Sequence, residues 1–318
     1  MNLVVNEREE GLKCGNMRIY VIGVGGVGGF YGGLLAESGA DITLVSRGKS
    51  FEAIKERGLV LNCPDGVHRI FPVKVVDHIS EITNPDLIIL AVKSYDLKDI
   101  SRDLIPVVKQ ETVVITIQNG LDNDRVVFRY LSNCPVLPGL VLVAAAKTAP
   151  NEVTQRGSQK KLVFGARDGK ITSKMLKVES LLKRAGIDAH VSESIDRELW
   201  KKFLFVLSFA SATVAQMGPI GEALNNPQSL KVYKAVLQEA IMVGKSEGVE
   251  FEPDIFDATL KGARGFDPLT KSSLLVDLQN HRRTEVVALH AALIQLAEKH
   301  GVAVSVTKEI YRMVTSYK

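Results

Sequence analysis

Cysteine is scarce in this sequence: Cys14, Cys63 and Cys134 are the only three, and no two form a C-x-x-C pair. An odd, dispersed set excludes a disulfide framework, and six scattered histidines without ligand spacing give no zinc signal. No metal is therefore expected, and reduced thiols suit a cytoplasmic protein. Aromatic residues make up only 6% of the chain, and the net charge is a small +4. Because basic and acidic residues are interspersed, that charge describes a solvated surface and no nucleic-acid footprint. The chain has no internal repeat and no low-complexity tract.

Long membrane-type runs are also missing. Ile19–Ala36 carries no charge, but its seven glycines would make a poor membrane helix. Phe203–Gly221 contains Ser208, Ser211, Thr213, Gln216, Gly218 and Pro219. Its solidly apolar part falls short of the roughly 20 residues that span a bilayer. The expectation is a buried core helix ending near Gly218-Pro219, with no membrane partner.

What is present is ordinary globular material: 318 residues, 46% hydrophobic. That is about two domains at roughly 150 residues each. Residues 1–16 are polar and aperiodic and read as a flexible extension. Residues 17–191 alternate β-branched runs (Arg18–Ile22, Asp41–Val45, Leu87–Val92, Val113–Ile117, Val136–Val143) with helical stretches such as Val27–Ser38 and Phe51–Arg57. Such alternation implies parallel strands and a doubly wound sheet. Residues 192–318 show helical spacing over Glu193–Ala215, Ser229–Glu247 and Leu274–Thr315, and predict a mostly helical second domain.

The first strand runs straight into Gly23-Val24-Gly25-Gly26-Val27-Gly28 and then a helix. In that context G-x-G-x-x-G is a dinucleotide fingerprint, and the sheet is of Rossmann type. Gly23 allows the tight turn, Gly25 the approach of a pyrophosphate, and Gly28 close helix–strand packing. Gly23, Gly25, Gly26, Val27 and Gly28 are thus candidate cofactor contacts. The second strand ends in Ser46-Arg47-Gly48-Lys49, without the acid that would accept hydrogen bonds from a ribose 2′-hydroxyl. Arg47, helped by Lys49 or Ser46, would instead grip a 2′-phosphate, so NADPH is the expected cofactor. Lys93 and Gln118-Asn119-Gly120 close two further strands, at the edge where open sheets bind ligands. Taken singly, Lys93 and Asn119 also suit ordinary loop roles, and Arg47 a plain surface position.

The combination resembles the ketopantoate reductase (2-dehydropantoate 2-reductase) family from Met17 onward. The residues that carry this are the glycine loop with Ser46-Arg47-Gly48, Ala91-Val92-Lys93 and Gln118-Asn119-Gly120-Leu121. To these the helical part adds Leu199-Trp200-Lys201-Lys202, Pro219-Ile220-Gly221-Glu222, Ser272-Ser273 and Arg283-Thr284-Glu285. The resemblance implies NADPH-dependent reduction of a 2-oxo acid, ketopantoate to pantoate in pantothenate biosynthesis, in a cleft between the domains. It assigns Lys202 as the catalytic lysine, Asn119 as the site asparagine, and Ser273 and Glu285 as the substrate-contacting pair. A protonated lysine beside the carbonyl would stabilise the developing alkoxide and protonate it. Glu285 would hold that lysine or accept a substrate hydroxyl. Read alone, Lys202 also suits a helix surface and Glu285 a helix start. A homodimer is left open.

On one straight helix Ser273 and Glu285 would be about 18 Å apart, so a chain reversal across Gln279–Arg283 is expected, with Thr284 capping a new helix. The family's usual asparagines after the lysine and before the Gly-Glu pair are replaced by Val206, Ala210 and Ile220. Ser208 and Ser211 would make up for them only if an irregular helix turned them inward. Two alternatives follow: a paralogue reducing a more apolar 2-oxo acid or ketone, and a nucleotide-binding regulator with a degraded substrate site.

Overall fold

The computed structural model describes residues 17–317, so the expected extension at 1–16, with Cys14, lies outside the described residues. The chain opens with β1 (Ile19–Ile22), α1 (Gly26–Glu37), β2 (Ile42–Val45) and α2 (Lys49–Arg57). A hairpin of β3 (Leu59–Cys63) and β4 (Gly66–Ile70) follows, then β5 (Val75–Val76), β6 (Leu87–Leu90), α3 (Leu97–Leu104), β7 (Val113–Thr116) and α4 (Asn123–Phe128). The sheet half closes with β8 (Val136–Ala149), β9 (Glu152–Phe164), α5 (Ser173–Arg184) and β10 (Asp188–Val191).

The path through the sheet is β4-β3-β9-β8-β7-β6-β1-β2-β5, with β10 on β9. Its β5-β2-β1-β6-β7-β8 portion is parallel throughout and follows the double winding of dinucleotide-binding sheets. The winding reverses between β1 and β6, so the crevice for a ligand opens at the carboxyl ends of those strands. Leu87-Ile88-Ile89-Leu90 is buried along its whole length, as its unbroken apolar run requires.

The sheet extends further than the alternating pattern predicts. β8 continues to Ala149 and turns back antiparallel into β9, while β3 and β4 add a second antiparallel pair. Much of β9 is polar and its middle, Arg156 to Gln159, faces solvent, so that stretch offers no apolar run to read.

The rest of the described chain is helical: α6 (Ile195–Gln216), α7 (Ile220–Asn225), α8 (Pro227–Ser246), α9 (Ile255–Arg264), α10 (Ser273–Gln279), α11 (Ala292–His300) and α12 (Ser305–Ser316). α6 stops where Met217 enters the left-handed region at φ 53°, just before Gly218-Pro219. It buries Trp200, Phe203, Leu204 and Leu207 in one core with Tyr233, Val236 and Leu237 of α8. Each such side chain contributes roughly 1.5–3 kcal/mol by leaving water. No described helix is long and apolar enough to cross a membrane.

The reversal after Ser273 is present. α10 ends at Gln279, His281 takes φ 51°, and Arg282 donates its N–H back to the Asp277 carbonyl. Glu285 precedes a wide π-type turn over Val287–Ala291 that leads into α11. Thr284 makes no capping hydrogen bond among the described residues; the Glu285 carbonyl accepts from the Leu289 N–H at 3.2 Å.

Candidate active site

The glycines after β1 divide by what demands them. Gly23 has φ 97°, and a Cβ there would lie 2.7 Å from the Val92 nitrogen. A Cβ on Gly28 would stand 2.0 Å from the Gly23 carbonyl oxygen, and one on Gly26 2.3 Å from that of Ala145. The protein's own packing explains these three. Gly25 is different: its φ of −85° suits any residue, and a Cβ would meet nothing within 4 Å. Its open face lies before the first turn of α1, whose leading N–H groups have no partner inside the helix. That open face, with unpaired helix N–H groups behind it, has the room and the donors to hold a pyrophosphate.

At the end of β2, Ser46 is buried while Arg47, Gly48 and Lys49 are exposed. Among the described residues Arg47 forms no salt bridge. α2 begins here with Gly48 as its cap, so Arg47 and Lys49 flank the α2 N-terminus on the exposed surface. Lys147, which the sequence did not single out, reaches that N-terminus from β8 and donates to the Ser50 hydroxyl at 3.0 Å.

A second, small pocket lies beyond β7. Gln118, Asn119 and Gly120 line it from the sheet half; Leu199, Lys202, Phe203 and Val206 line it from α6, and Leu289 from the π-type turn. Gly120 sits at φ 122° with its Cβ position 3.1 Å from the Ala288 carbonyl oxygen, which keeps this loop pressed on the helical half. Lys202 is partly buried among these side chains and makes no hydrogen bond among the described residues, and the protein packed around it strips much of the water from its ammonium. That desolvation lowers its pKa to about 8, with the Glu285 carboxylate acting in the opposite sense. Gln118, the first residue of the Gln118-Asn119-Gly120 motif, stands out in the fold. Its Nε2 donates to the Leu90 carbonyl at 2.8 Å, which leaves Oε1 buried without a donor.

Glu285 is not hydrogen-bonded to Lys202. Its Oε2 accepts from Lys93 Nζ at 3.0 Å and its Oε1 from the Ser94 N–H at 2.9 Å. Lys93, expected on the cofactor side, also donates to Asp277 at 2.9 Å. Burial alone would lower the Lys93 pKa, but the Glu285 charge and the Asp277 hydrogen bond outweigh it and raise it. Alongside, the Arg283 guanidinium lies 4.2 Å over the Tyr95 ring. The turn after α10 thus docks on the end of β6, and Asp277, unmarked in the sequence reading, is part of the joint. Ser273 is exposed in the first turn of α10 and hydrogen-bonds to none of these groups, whereas its neighbour Ser272 caps that helix and meets Thr213 at 2.7 Å.

Residues 19–169 match the family described as ketopantoate reductase PanE/ApbA, and residues 194–318 match ketopantoate reductase PanE/ApbA C terminal. The chain belongs to the ketopantoate reductase family. It is 29% identical over 302 residues to the uncharacterized oxidoreductase YkpB of Bacillus subtilis (strain 168), covering 95% of this chain and 99% of that protein. It is also 29% identical over 302 residues to a 2-dehydropantoate 2-reductase of Halobacterium salinarum, covering 94% and 98%. A crystal structure of a PanE/ApbA family ketopantoate reductase from Ralstonia eutropha JMP134 superposes with a TM-score of 0.87 at 25% identity, covering 94% of this chain and 97% of that one. The chain is accordingly an oxidoreductase of this family, with a Rossmann-type sheet and a helical C-terminal part.

Its departures from the family's asparagine pattern separate in space. Val206 does line the Lys202 pocket, but Ala210 packs with Leu274, Leu275, Leu278 and Val286, and Ile220 is buried in the α6–α8 core. Because α6 runs without irregularity, Ser208 and Ser211 do not turn into the pocket. The Ser211 hydroxyl donates to the Leu207 carbonyl and meets His290 Nε2 at 2.9 Å, while the Ser208 hydroxyl is buried without a partner. Burial holds His290 neutral, with its pKa lowered to about 3.

Proposed function

We propose that this chain reduces a 2-oxo acid to the 2-hydroxy acid with NADPH. The observation that carries the reading is Lys202, partly desolvated and lining one pocket with Asn119 and Gln118 at the carboxyl edge of the sheet. When bound, the nicotinamide supplies the hydride to the carbonyl carbon. Lys202 donates its proton to the carbonyl oxygen as charge develops there, and a pKa near neutrality suits a general acid. Asn119 presents its amide between cofactor and substrate. Glu285 sets the field at Lys202 from its seat on Lys93 and Ser94, and Ser273 is assigned to the substrate carboxylate.

On the cofactor side, Gly25 and the α1 N-terminus take the pyrophosphate. Arg47, exposed beside Lys49 and without a salt bridge among the described residues, takes the 2′-phosphate, and the absence of an acid in Ser46-Arg47-Gly48-Lys49 supports NADPH over NADH. The test is NADPH and NADH oxidation by the tag-free chain with a panel of 2-oxo acids, Lys202→Met serving as control. Turnover with NADPH preferred at least tenfold, and abolished in Lys202→Met, is expected. Nucleotide binding without any turnover overturns the reading in favour of a regulator.

A second reading concerns the substrate's side chain. Leu199, Phe203, Val206 and Leu289 give the pocket an apolar wall, and Val206 supplies no amide for a substrate hydroxyl. A lost hydrogen bond of this kind is worth roughly 0.5–1.5 kcal/mol. A branched or aromatic 2-oxo acid is therefore expected to outcompete ketopantoate in kcat/KM. Clear preference for ketopantoate would remove this reading and leave the first intact.

A further inference from the structure

We propose that Cys63, Asp65 and His68 hold a borderline divalent metal ion of the Zn2+ or Co2+ kind at the tip of the β3–β4 hairpin, oriented by Glu37 at the end of α1. The sequence gives no zinc signal because no spacing of cysteines or histidines announces one. The fold supplies what spacing does not. In the hairpin Leu61 pairs with His68 and Cys63 with Gly66. Side chains alternate along a strand and share a face across a pair, so Leu61, Cys63 and His68 look the same way. That way is toward α1: a Cβ on Gly33 would lie 2.8 Å from a Leu61 methyl.

Glu37 ends α1 on that face. Its Oε1 lies 2.8 Å from His68 Nδ1, which leaves Nε2 directed at Asp65 Oδ1, 3.3 Å away. A carboxylate on one imidazole nitrogen, with the other presented to further ligands, is the usual support of a metal-bound histidine. Distances agree as well. Tetrahedral ligation at about 2.0–2.3 Å places neighbouring ligand atoms about 3.3–3.6 Å apart. The His68–Asp65 separation already has that value, and one ligand atom from each of Cys63, Asp65 and His68 lies within 4.8 Å of the others. Asp65 is exposed on the turn and is free to close the remainder. Thiolate, imidazole and carboxylate together select a borderline transition metal over Mg2+ or Ca2+, with water as fourth ligand. Two carboxylates, Glu37 and Asp65, face this point against one nearby ammonium, Lys160. The site sits at the far end of α1 from the glycine loop, about 16 Å along the helix. It therefore clamps hairpin to helix and takes no part in the proposed reduction.

The test uses the tag-free full chain, stripped with chelator and titrated with CoCl2. A thiolate-to-cobalt charge-transfer band saturating at one ion per chain is expected, lost in Cys63→Ser and requiring at least tenfold more Co2+ in His68→Gln or Glu37→Gln. ZnCl2 at a hundredfold excess over its dissociation constant should raise the wild-type Tm by about 5 °C. It should also protect Cys63, mapped by peptide mass, from iodoacetamide, a measurement that needs no variant. Absence of the band, a band unchanged in Cys63→Ser (which retains Cys14 and Cys134), or unprotected Cys63 overturns the proposal. Its failure leaves turnover, measured separately, untouched.

Discussion

Lys93 Nζ stands 3.0 Å from Glu285 Oε2, and the same carboxylate takes the Ser94 N–H on its other oxygen. A residue of the helical half is thus held by two donors of the sheet half, beside the lysine whose ammonium its charge favours. Replacing Glu285 by Gln removes that charge with little change of shape. Lys202 then loses the influence that raises its pKa, so the alkaline limb of the kcat/KM profile moves to lower pH and kcat falls about tenfold. Lys93 keeps Asp277, and stability drops by only about 1 kcal/mol, as for a partly exposed ion pair. A pH–rate profile checks this; a limb that stays in place excludes Glu285 as the group tuning Lys202.

Lys202 is costly to the fold. Its ammonium titrates near 8 in the folded protein against about 10.4 in the unfolded chain. Between those values the unfolded state binds the extra proton, so stability rises with pH from 8 to 10. Below pH 8 the full penalty, at most about 3 kcal/mol, is present. Lys202→Met is expected to be more stable than wild type at pH 7, to lack that rise, and to lose activity by at least a hundredfold. Urea denaturation at pH 7 and pH 10 measures the first two. In wild type, reduction should decline above pH 8 as the proton donor empties.

Arg47→Gln addresses the cofactor alone. A charge-assisted hydrogen bond to phosphate is worth about 1.5–3 kcal/mol, so KM for NADPH should rise by about ten- to a hundredfold. KM for NADH should stay within twofold, because no phosphate is there to lose. Equal losses with both nucleotides would mean that Arg47 does not read the 2′-phosphate.

Two glycine substitutions should part company. A Cβ at Gly25 meets no protein atom, so Gly25→Ala should keep the Tm and lose NADPH affinity at least tenfold in titration calorimetry. A Cβ at Gly28 would collide with the Gly23 carbonyl, so Gly28→Ala should lower stability by at least 2 kcal/mol. A Gly25→Ala chain with unaltered affinity would remove the pyrophosphate from that loop.

The sheet half was legible wherever burial wrote itself as apolar runs, as in Leu87–Leu90, and where a turn demanded glycine, as at Gly23. It was illegible in β9, whose outward face is polar, and in β3–β4, a hairpin with an exposed second strand. The reversal after α10 could be argued because two residues assigned to one small molecule cannot sit on one straight helix. The partners of Glu285 could not be, since Lys93 and Ser94 lie 192 and 191 residues away and charge pairs carry no periodicity. Ala210 differs in another way: it stands where the family has an asparagine after the lysine, but α10 packs against it, so the change falls in the core and not on the pocket wall.

Glu285 and Lys202 both belong to the helical half, whereas Lys93 and Ser94 belong to the sheet. If the two halves part, the carboxylate sheds its clasp and water returns to the ammonium. Both changes make that ammonium a weaker acid. In the proposed reaction the proton is therefore most readily surrendered while the crevice is shut, and least readily while substrate comes and goes.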